Sequence, residues 1–454
     1  MFAVRNIVPL LFILVILLGA VSCAKDDPDP VITDPDPVVA GFEPPATRNI
    51  IMYEVNQRAF SSSGDLQGVT GGLDHIESLH VNVIWLMPIH PIGEINSVNS
   101  PYSVKNYKEV NPDYGTMANL IELVDAAHDK GMAVILDWVA NHTAWDNPWI
   151  ENTDWYTQDG NGNIVHPPGT NWQDVADLNF DNQEMRLAMI DAMKFWIDTA
   201  GIDGFRCDAA DWVPFDFWEQ AIDSLNGHSG KDLILLAEGA RDDHFDAGFD
   251  LNFGWEYYGD LKAVFNDNEN PGQFMQDYVS DLSGLPDDQT RLIFTTNHDE
   301  SAWDATPVVI FNGEAGATAA SVITTFLPGV PMIYNGQEVG VEDNIMFFSN
   351  DPIDWSQNPD MLDDYQQLLG FYASSETARE GNFQKYNHSD IASFTLTSGE
   401  NTVLVMVNTR DVQVDYTLPD ALGNRAWTNV LSGDTITLGD SYTFEGYGYL
   451  VLEE

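Results

Sequence analysis

The sequence predicts an α/β fold: a (β/α)8 barrel with a short domain inserted after its third strand, followed by a C-terminal antiparallel β-sandwich. Three observations predict it. Eight short apolar runs alternate with amphipathic stretches up to about residue 380. The interval between the third and fourth runs is longer than one helix needs. Beyond that alternation the helical pattern stops, and only short strand-like runs separated by turn residues remain. Strand–helix alternation indicates parallel strands, and eight such units close into a barrel.

The chain opens with Arg5 and the apolar run "IVPLLFILVILLGAVSC", which ends at Cys23. This reads as an export signal over residues 1–23, not as a membrane span of the mature protein. It resembles a bacterial lipoprotein signal, with Cys23 as the lipidated residue and Ala20 three positions before it. A plain secretory signal with an incidental cysteine is the alternative. Residues 24–46 contain "DPDPVITDPDPVV", an alternation of proline and aspartate that makes an extended tether. If Cys23 carries lipid, Cys207 is left alone and no intramolecular disulfide forms.

The catalytic barrel is expected over residues 47–379. Its eight runs are "NIIMYEV", "VNVIWLMP", "MAVILDWV", "IDGFRCD", "DLILLAE", "AGFDLNF", "RLIFTTN" and "VPMIYNG". Between them lie amphipathic segments such as "MANLIELVDAAHDKG" and "NQEMRLAMIDAMKFWIDTAG", the latter stopping at Gly201. The inserted domain covers residues 140–178 and is rich in Asn, Asp, Trp, Gly and Pro. Trp145, Trp149, Trp155 and Trp172 lie in it, either as sugar platforms or as its own small core. Over residues 380–454, "DIASFTLTSG", "NTVLVMVNT", "QVDYTLP", "AWTNVL", "DTITLG" and "YGYLVLEE" are the strands of the sandwich.

Composition bounds the function. With 454 residues, 44% of them hydrophobic, the chain can bury a large core and is not generally disordered. Eighteen basic residues stand against 71 acidic ones, a formal charge of −53. That field makes nucleic acid and an anionic membrane surface poor partners and leaves neutral substrates open. It also suits work in high salt, where screening suppresses self-repulsion.

Chemistry belongs at the C-terminal ends of barrel strands. Here the third run ends near Asp137, Asn141 and His142, the fourth at Arg206 and Asp208, the fifth at Glu238, and the seventh at Asn297, His298 and Asp299. One aspartate after a strand is usually a cap or turn residue. Several carboxyls gathered in one mouth repel and desolvate one another, which a purely structural design would avoid. Arg206 and Asp208, two residues apart, share one face of their strand. Cys207 then faces the helix layer as a small buried hydrophobe.

"DWVANH", "GFRCDAAD", "AEG" and "TTNHDE" resemble, in order, the four core motifs of the α-amylase family, glycoside hydrolase family 13. "VADLNF" is similar to its additional motif, and "SPYSVKNYKEVNPDYGT" to its stretch after the second strand. The resemblance covers about residues 48–454. It implies a retaining hydrolase of α-1,4-glucosidic bonds in starch and maltooligosaccharides. Asp208 would be the nucleophile, Glu238 the general acid/base and Asp299 the transition-state stabiliser. Arg206 would orient Asp208, His142 and His298 would hydrogen-bond the sugar, and Tyr102 would stack on it. Asp137 and Asn297 would support the mouth. Asn141, Asp177 and the Trp212 carbonyl would hold a structural calcium ion.

The chemistry needs these residue types. Cleaving an acetal with retention takes a protonated acid and a charged nucleophile roughly 5–5.5 Å apart. The chain departs from the family where Asp211-Trp212 replaces the common Lys-His, and where Ser103 replaces the aspartate after the stacking tyrosine. Asp211 cannot reproduce the lysine's contact with sugar on the leaving-group side. An α-glucosidase, a maltogenic amylase or a transglycosylase shares the same motifs; a non-enzymatic glycan-binding lipoprotein would lack one of the three carboxylates. "CAKDDPDP" resembles the surface-export signal of Bacteroidetes-type lipoproteins. That implies a cell-surface or outer-membrane protein touching the membrane through its lipid alone, beside surface glycan-uptake proteins.

Overall fold

Alternation within each strand sorts side chains to the two faces of the barrel wall. The computed structural model describes residues 42–286 and 288–454. The strands of its first part are β1 (Met52–Val55), β2 (Val83–Leu86), β3 (Ala133–Val139), β4 (His142–Ala144), β5 (Val175–Asp177), β6 (Gly204–Asp208), β7 (Ile234–Ala237), β8 (Leu251–Phe253), β9 (Thr290–Phe294) and β10 (Val330–Tyr334). All but β4 and β5 close into a parallel barrel in the order β1-β10-β9-β8-β7-β6-β3-β2. Seven of the eight predicted runs contain a whole barrel strand, and "RLIFTTN" contains all of β9 but Thr290.

Inside the barrel, Met52, Val83, Trp85, Ile135, Leu236, Phe253, Leu292 and Met332 form one buried cluster. Their sequence neighbours Tyr53, Ile84, Leu136, Phe205, Leu235 and Ile333 belong to a second cluster shared with the helices. Each fully buried large side chain contributes about 1.5–3 kcal/mol relative to exposure. Cys207 sits in that outer layer, 1% exposed, and burial pushes its thiol pKa far up. Gly204 is held to glycine by its neighbour strand: a Cβ there would collide with the Ile234 carbonyl.

The helices carry the expected end signals. Met117–Asp129 starts with a reciprocal capping box between Thr116 and Asn119. Gln183–Ala200 is capped by Asn182, and Gly201 stops it in the left-handed region, φ 68°. In the excursion, β4 and β5 pair antiparallel, with His142 opposite Asp177. Trp149 and Trp155 meet edge to face at 5.4 Å, and Trp149 packs on Tyr107. These two form local core. The Trp145 indole donates to the Gln173 carbonyl.

The C-terminal part holds β11 (Asn382–Tyr386), β12 (Ile391–Ser398), β13 (Asn401–Asn408), β14 (Val414–Thr417), β15 (Arg425–Asn429), β16 (Thr435–Leu438), β17 (Ser441–Phe444) and β18 (Tyr449–Glu453). A six-stranded antiparallel sheet, β11-β12-β13-β18-β15-β16, and the β14-β17 pair enclose Tyr416, Trp427, Leu438, Phe444 and Leu452. β11 and β17 are two strands more than the apolar runs predicted. Exposed and half-exposed positions dominate both, so neither shows an apolar run in the sequence.

The described chain begins at the N-terminal rim of the barrel. Phe42 stacks on His128 at 4.1 Å, and the Asn82 carboxamide bonds Ile51 N and Asn49 O just ahead of β1 and β2. Residues 1–41, with the predicted signal, Cys23 and most of the tether, lie outside the described residues. Among the described residues no helix is long and apolar enough to cross a membrane.

Candidate active site

The inward-facing rows that fill the barrel with apolar groups end in charge at its C-terminal rim. On β1 Met52 is followed by Glu54, on β3 Ile135 by Asp137, on β6 Arg206 by Asp208, and after Leu236 of β7 comes Glu238. Arg206, wholly buried, joins three of these acids. Its Nη1 donates to Asp137 Oδ1 at 2.8 Å and to Asp208 Oδ1 at 3.0 Å. Its Nη2 lies 2.9 Å from Glu238 Oε2 as an ion pair without hydrogen-bond alignment. The guanidinium lies 4.9 Å from the centroid of the Trp85 ring, whose indole donates to Asp137 Oδ2 at 3.2 Å. Removing Arg206 from such a buried group would leave uncompensated charge and cost about 3–5 kcal/mol.

A sharp turn completes the pair of acids. Ala209 adopts a left-handed conformation, φ 46°, immediately after Asp208. Its N–H donates to Glu238 Oε2 at 2.6 Å. Glu238 N donates to Cys207 O and Ala210 N to Glu238 O, both at 2.9 Å, so the ends of β6 and β7 are zipped together.

Three carboxyls and one guanidinium leave the cluster short of positive charge. Burial pushes both Asp208 and Glu238 up to about 7, with Arg206 pulling each down and neighbouring carboxylates pushing back. Burial lifts Asp137 to about 6 in the same way. The three titrate together, so the cluster retains a proton near neutrality as a unit. Arg206 and the Ala209 amide draw Glu238 toward its anion, and the aligned bond to Nη1 does the same for Asp208, against the burial that raises both.

On the opposite wall His298 is clamped. Nδ1 lies 2.5 Å from Glu54 Oε1, Nε2 lies 2.7 Å from the Tyr102 hydroxyl and 3.5 Å from Asp299 Oδ2. Burial would lower its pKa, but Asp299 and Glu54 outweigh it and lift the ring to about 9. As a cation it donates from both nitrogens, and the Tyr102 hydroxyl then donates to Asp137 Oδ2 at 3.1 Å. Both ring nitrogens of His298 are thus engaged within the protein. His142, by contrast, is neutral: burial lowers it to about 4, and its Nδ1 lies 3.2 Å from Asn141 Nδ2.

These groups line a cleft of about 710 Å³ that includes Tyr102, His142, Asp208, Glu238, His298 and Asp299. Two aromatic walls flank it. Trp172 stands 5.5 Å from Trp212 and 5.6 Å from His142. Phe347 packs on His298, Phe348 and Trp303, and Trp303 is 64% exposed. Of the four excursion tryptophans only Trp172 lines the cleft.

The remaining predicted residues have clear places. Asn297 is buried and caps helix His298–Trp303 by accepting from Glu300 N at 2.9 Å. Asn141 O accepts from Leu178 N, beside Asp177. Burial raises the Asp177 carboxyl, opposed by a hydrogen bond from Thr157. Asn141, Asp177 and the Trp212 carbonyl match calcium in donor type, but number fewer than its usual six to eight oxygens. Among the described residues no group of three or more His, Cys, Asp or Glu is set to hold a metal. The sequence reading passed over Glu54, Trp303, Phe347 and Phe348. Glu54 had a signal, the inward position two after Met52; Trp303 ends the short helix His298–Trp303, and Phe347 and Phe348 lie in a loop without periodicity.

Carboxyls gathered by one arginine at the C-terminal mouth of a parallel barrel, under an aromatic cleft, are the arrangement of an enzyme site built for acid–base chemistry. Residues 49–249 match the family described as alpha amylase, catalytic domain. Alpha-amylase 3 of Dictyoglomus thermophilum is 30% identical over 369 residues, 72% of this chain and 71% of that protein. Alpha-amylase MalA of Haloarcula japonica is 30% identical over 314 residues, 64% of this chain; the chain spans 44% of that protein's length. The crystal structure of an alpha-amylase from Lactobacillus plantarum superposes with a TM-score of 0.81 at 26% identity, covering 90% of this chain and 99% of that one. The chain belongs to the alpha-amylase family. Fold and homology make it a hydrolase-type enzyme of that family.

Proposed function

We propose that the protein is a retaining glycoside hydrolase that cleaves internal α-1,4-glucosidic bonds of starch and maltooligosaccharides. One observation carries the reading: Arg206 holds Asp208 and Glu238 at one point of the cleft floor. In the first step Glu238 gives its proton to the leaving glycosidic oxygen while Asp208 attacks the anomeric carbon. In the second, Glu238 takes a proton from water, which displaces Asp208. Asp299 faces the developing positive charge, and Tyr102 offers its ring to the sugar. Aromatic walls on both flanks support a chain running through the cleft, hence cleavage away from its ends. Calcium held by Asn141, Asp177 and the Trp212 carbonyl, and surface anchoring through Cys23, complete the reading; oxygen donors support the first and the signal-like segment the second.

Glu238→Gln tests the mechanism. Activity on starch should fall roughly 10²- to 10⁴-fold. Activated glycosyl fluorides should still glycosylate Asp208, and azide should rescue turnover with an α-azide product. A β-azide would overturn retention, and a label trapped on another residue would remove Asp208 as nucleophile.

A further inference from the structure

The position where the family commonly has lysine holds Asp211, and its carboxylate turns back toward the loop that carries Glu238. Oδ2 accepts from Ala240 N at 3.1 Å and Oδ1 from Arg241 N at 3.2 Å. The loop answers in kind. Arg241 Nη1 donates to the carbonyls of Asp211 and Val213 at 3.0 and 3.1 Å, while its Nε and Nη2 grip Asp243. His244, 1% exposed, closes the other side with Nε2 3.4 Å from Asp211 Oδ1. Gly239, the residue directly after Glu238, is threaded between them: a Cβ there would collide with Asp211 Oδ1 and come within 2.6 Å of His244 Cε1.

We propose that Asp211 is a positioning residue for the proton donor, a brace that replaces the family's sugar-contacting lysine. It rests on Glu238 being that donor. The Asp208 loop (residues 209–213) and the Glu238 loop (239–243) are cross-tied at both ends: by Ala209 N on Glu238 Oε2 near the chemistry, and by Asp211 and Arg241 away from it. Two amide bonds to a carboxylate are charge-assisted, about twice as strong as neutral ones. With the far tie cut, Gly239 and Ala240 gain freedom and Glu238 swings away from the leaving oxygen. Asp208, fixed on its strand by Arg206, stays in place. Loss should therefore appear only where bond cleavage needs the proton.

The experiment compares Asp211→Ala, Asp211→Asn and Arg241→Gln on maltoheptaose and on an activated maltosyl fluoride, following the first glycosylation step. For Asp211→Ala, kcat on maltoheptaose should fall roughly 10- to 100-fold, the scale of a misplaced catalytic group. Its KM, and glycosylation by the fluoride, should stay near wild type. Asp211→Asn, which keeps one acceptor oxygen, should recover part of the loss. Arg241→Gln should reproduce the leaving-group dependence from the other side of the tie; should Asp211→Ala fail to fold, these two decide. A rise in KM with kcat unchanged would make Asp211 a sugar contact and overturn the proposal, as would equal losses on both substrates. Glu238→Gln is the control. If it lacks leaving-group dependence, the assignment of the acid fails; if it shows it and the Asp211 and Arg241 variants do not, only the brace fails.

Discussion

Glu54 Oε1 lies 2.5 Å from Nδ1 of His298, and both side chains are buried. The pair is the inner end of a relay that continues through Tyr102 to Asp137. Burial, partly offset by His298, raises Glu54, while Asp299 and Glu54 lift His298 to about 9. The His298 cation is favoured by folding, so its contribution to stability is complete below about pH 6.5 and is lost as pH rises through about 9. Glu54→Gln removes the nearer counter-charge. His298 should then titrate well below its wild-type value, read from imidazole nitrogen shifts by NMR. A ring still titrating near 9 would show that Glu54 is not what holds the proton.

Glu238 should cost stability as well as supply chemistry. Its folded pKa, about 7, stands above the ordinary 4.5. The native state therefore binds more protons than the unfolded chain between these values, and stability falls as pH rises through that window. Glu238→Gln keeps the neutral shape at every pH. It should unfold at a higher denaturant concentration than wild type at pH 8, by roughly 1–3 kcal/mol, and match it at pH 4. An equal or lower midpoint at pH 8 would mean that the pairing with Arg206 outweighs burial.

Trp212 and Trp172 present a half-exposed wall to the cleft. Trp212→Ala should weaken binding of long maltooligosaccharides by roughly 0.5–1.5 kcal/mol, the scale of an aromatic contact beyond its area. Maltotriose, which covers less of the cleft, should be affected less. Trp303→Ala should act on the other flank and change the product lengths in a different sense. Identical product profiles for the two variants would place both tryptophans outside the substrate path.

Calcium, if bound at Asn141 and Asp177, should stabilise more than it assists the reaction, because the site lies between barrel and excursion. An ion held by the native state alone adds stability by mass action. Chelation should lower the unfolding midpoint and added calcium restore it. A preparation shown metal-free by elemental analysis that unfolds at the same temperature would remove calcium from the proposal.

The barrel was legible because its strands are buried on both faces and read as unbroken apolar runs. The charged ends stand out against those runs, so the sequence alone places Asp137, Arg206, Asp208 and Glu238 on one rim. Alternation would have added Glu54, since Met52 and Glu54 point the same way. What the sequence could not show was contact across loops. Phe347 and Phe348 are brought to the site by a loop with no period, and Trp303 by a helix too short to show one. Asp211 looked like a lost sugar contact; only its meeting with the amides of Ala240 and Arg241 gives it a role. In the C-terminal sheets, β11 and β17 expose too much polar surface to register as strands.

Phe42, stacked on His128, sits at the pole of the barrel opposite the carboxylates. Phe42 thus marks the end of the barrel from which the cleft faces away. Held by that end on a flat support, the protein points its mouth outward, toward whatever bulk lies in front. The same polarity favours an N-terminal fusion or immobilisation handle for access by a polymeric substrate.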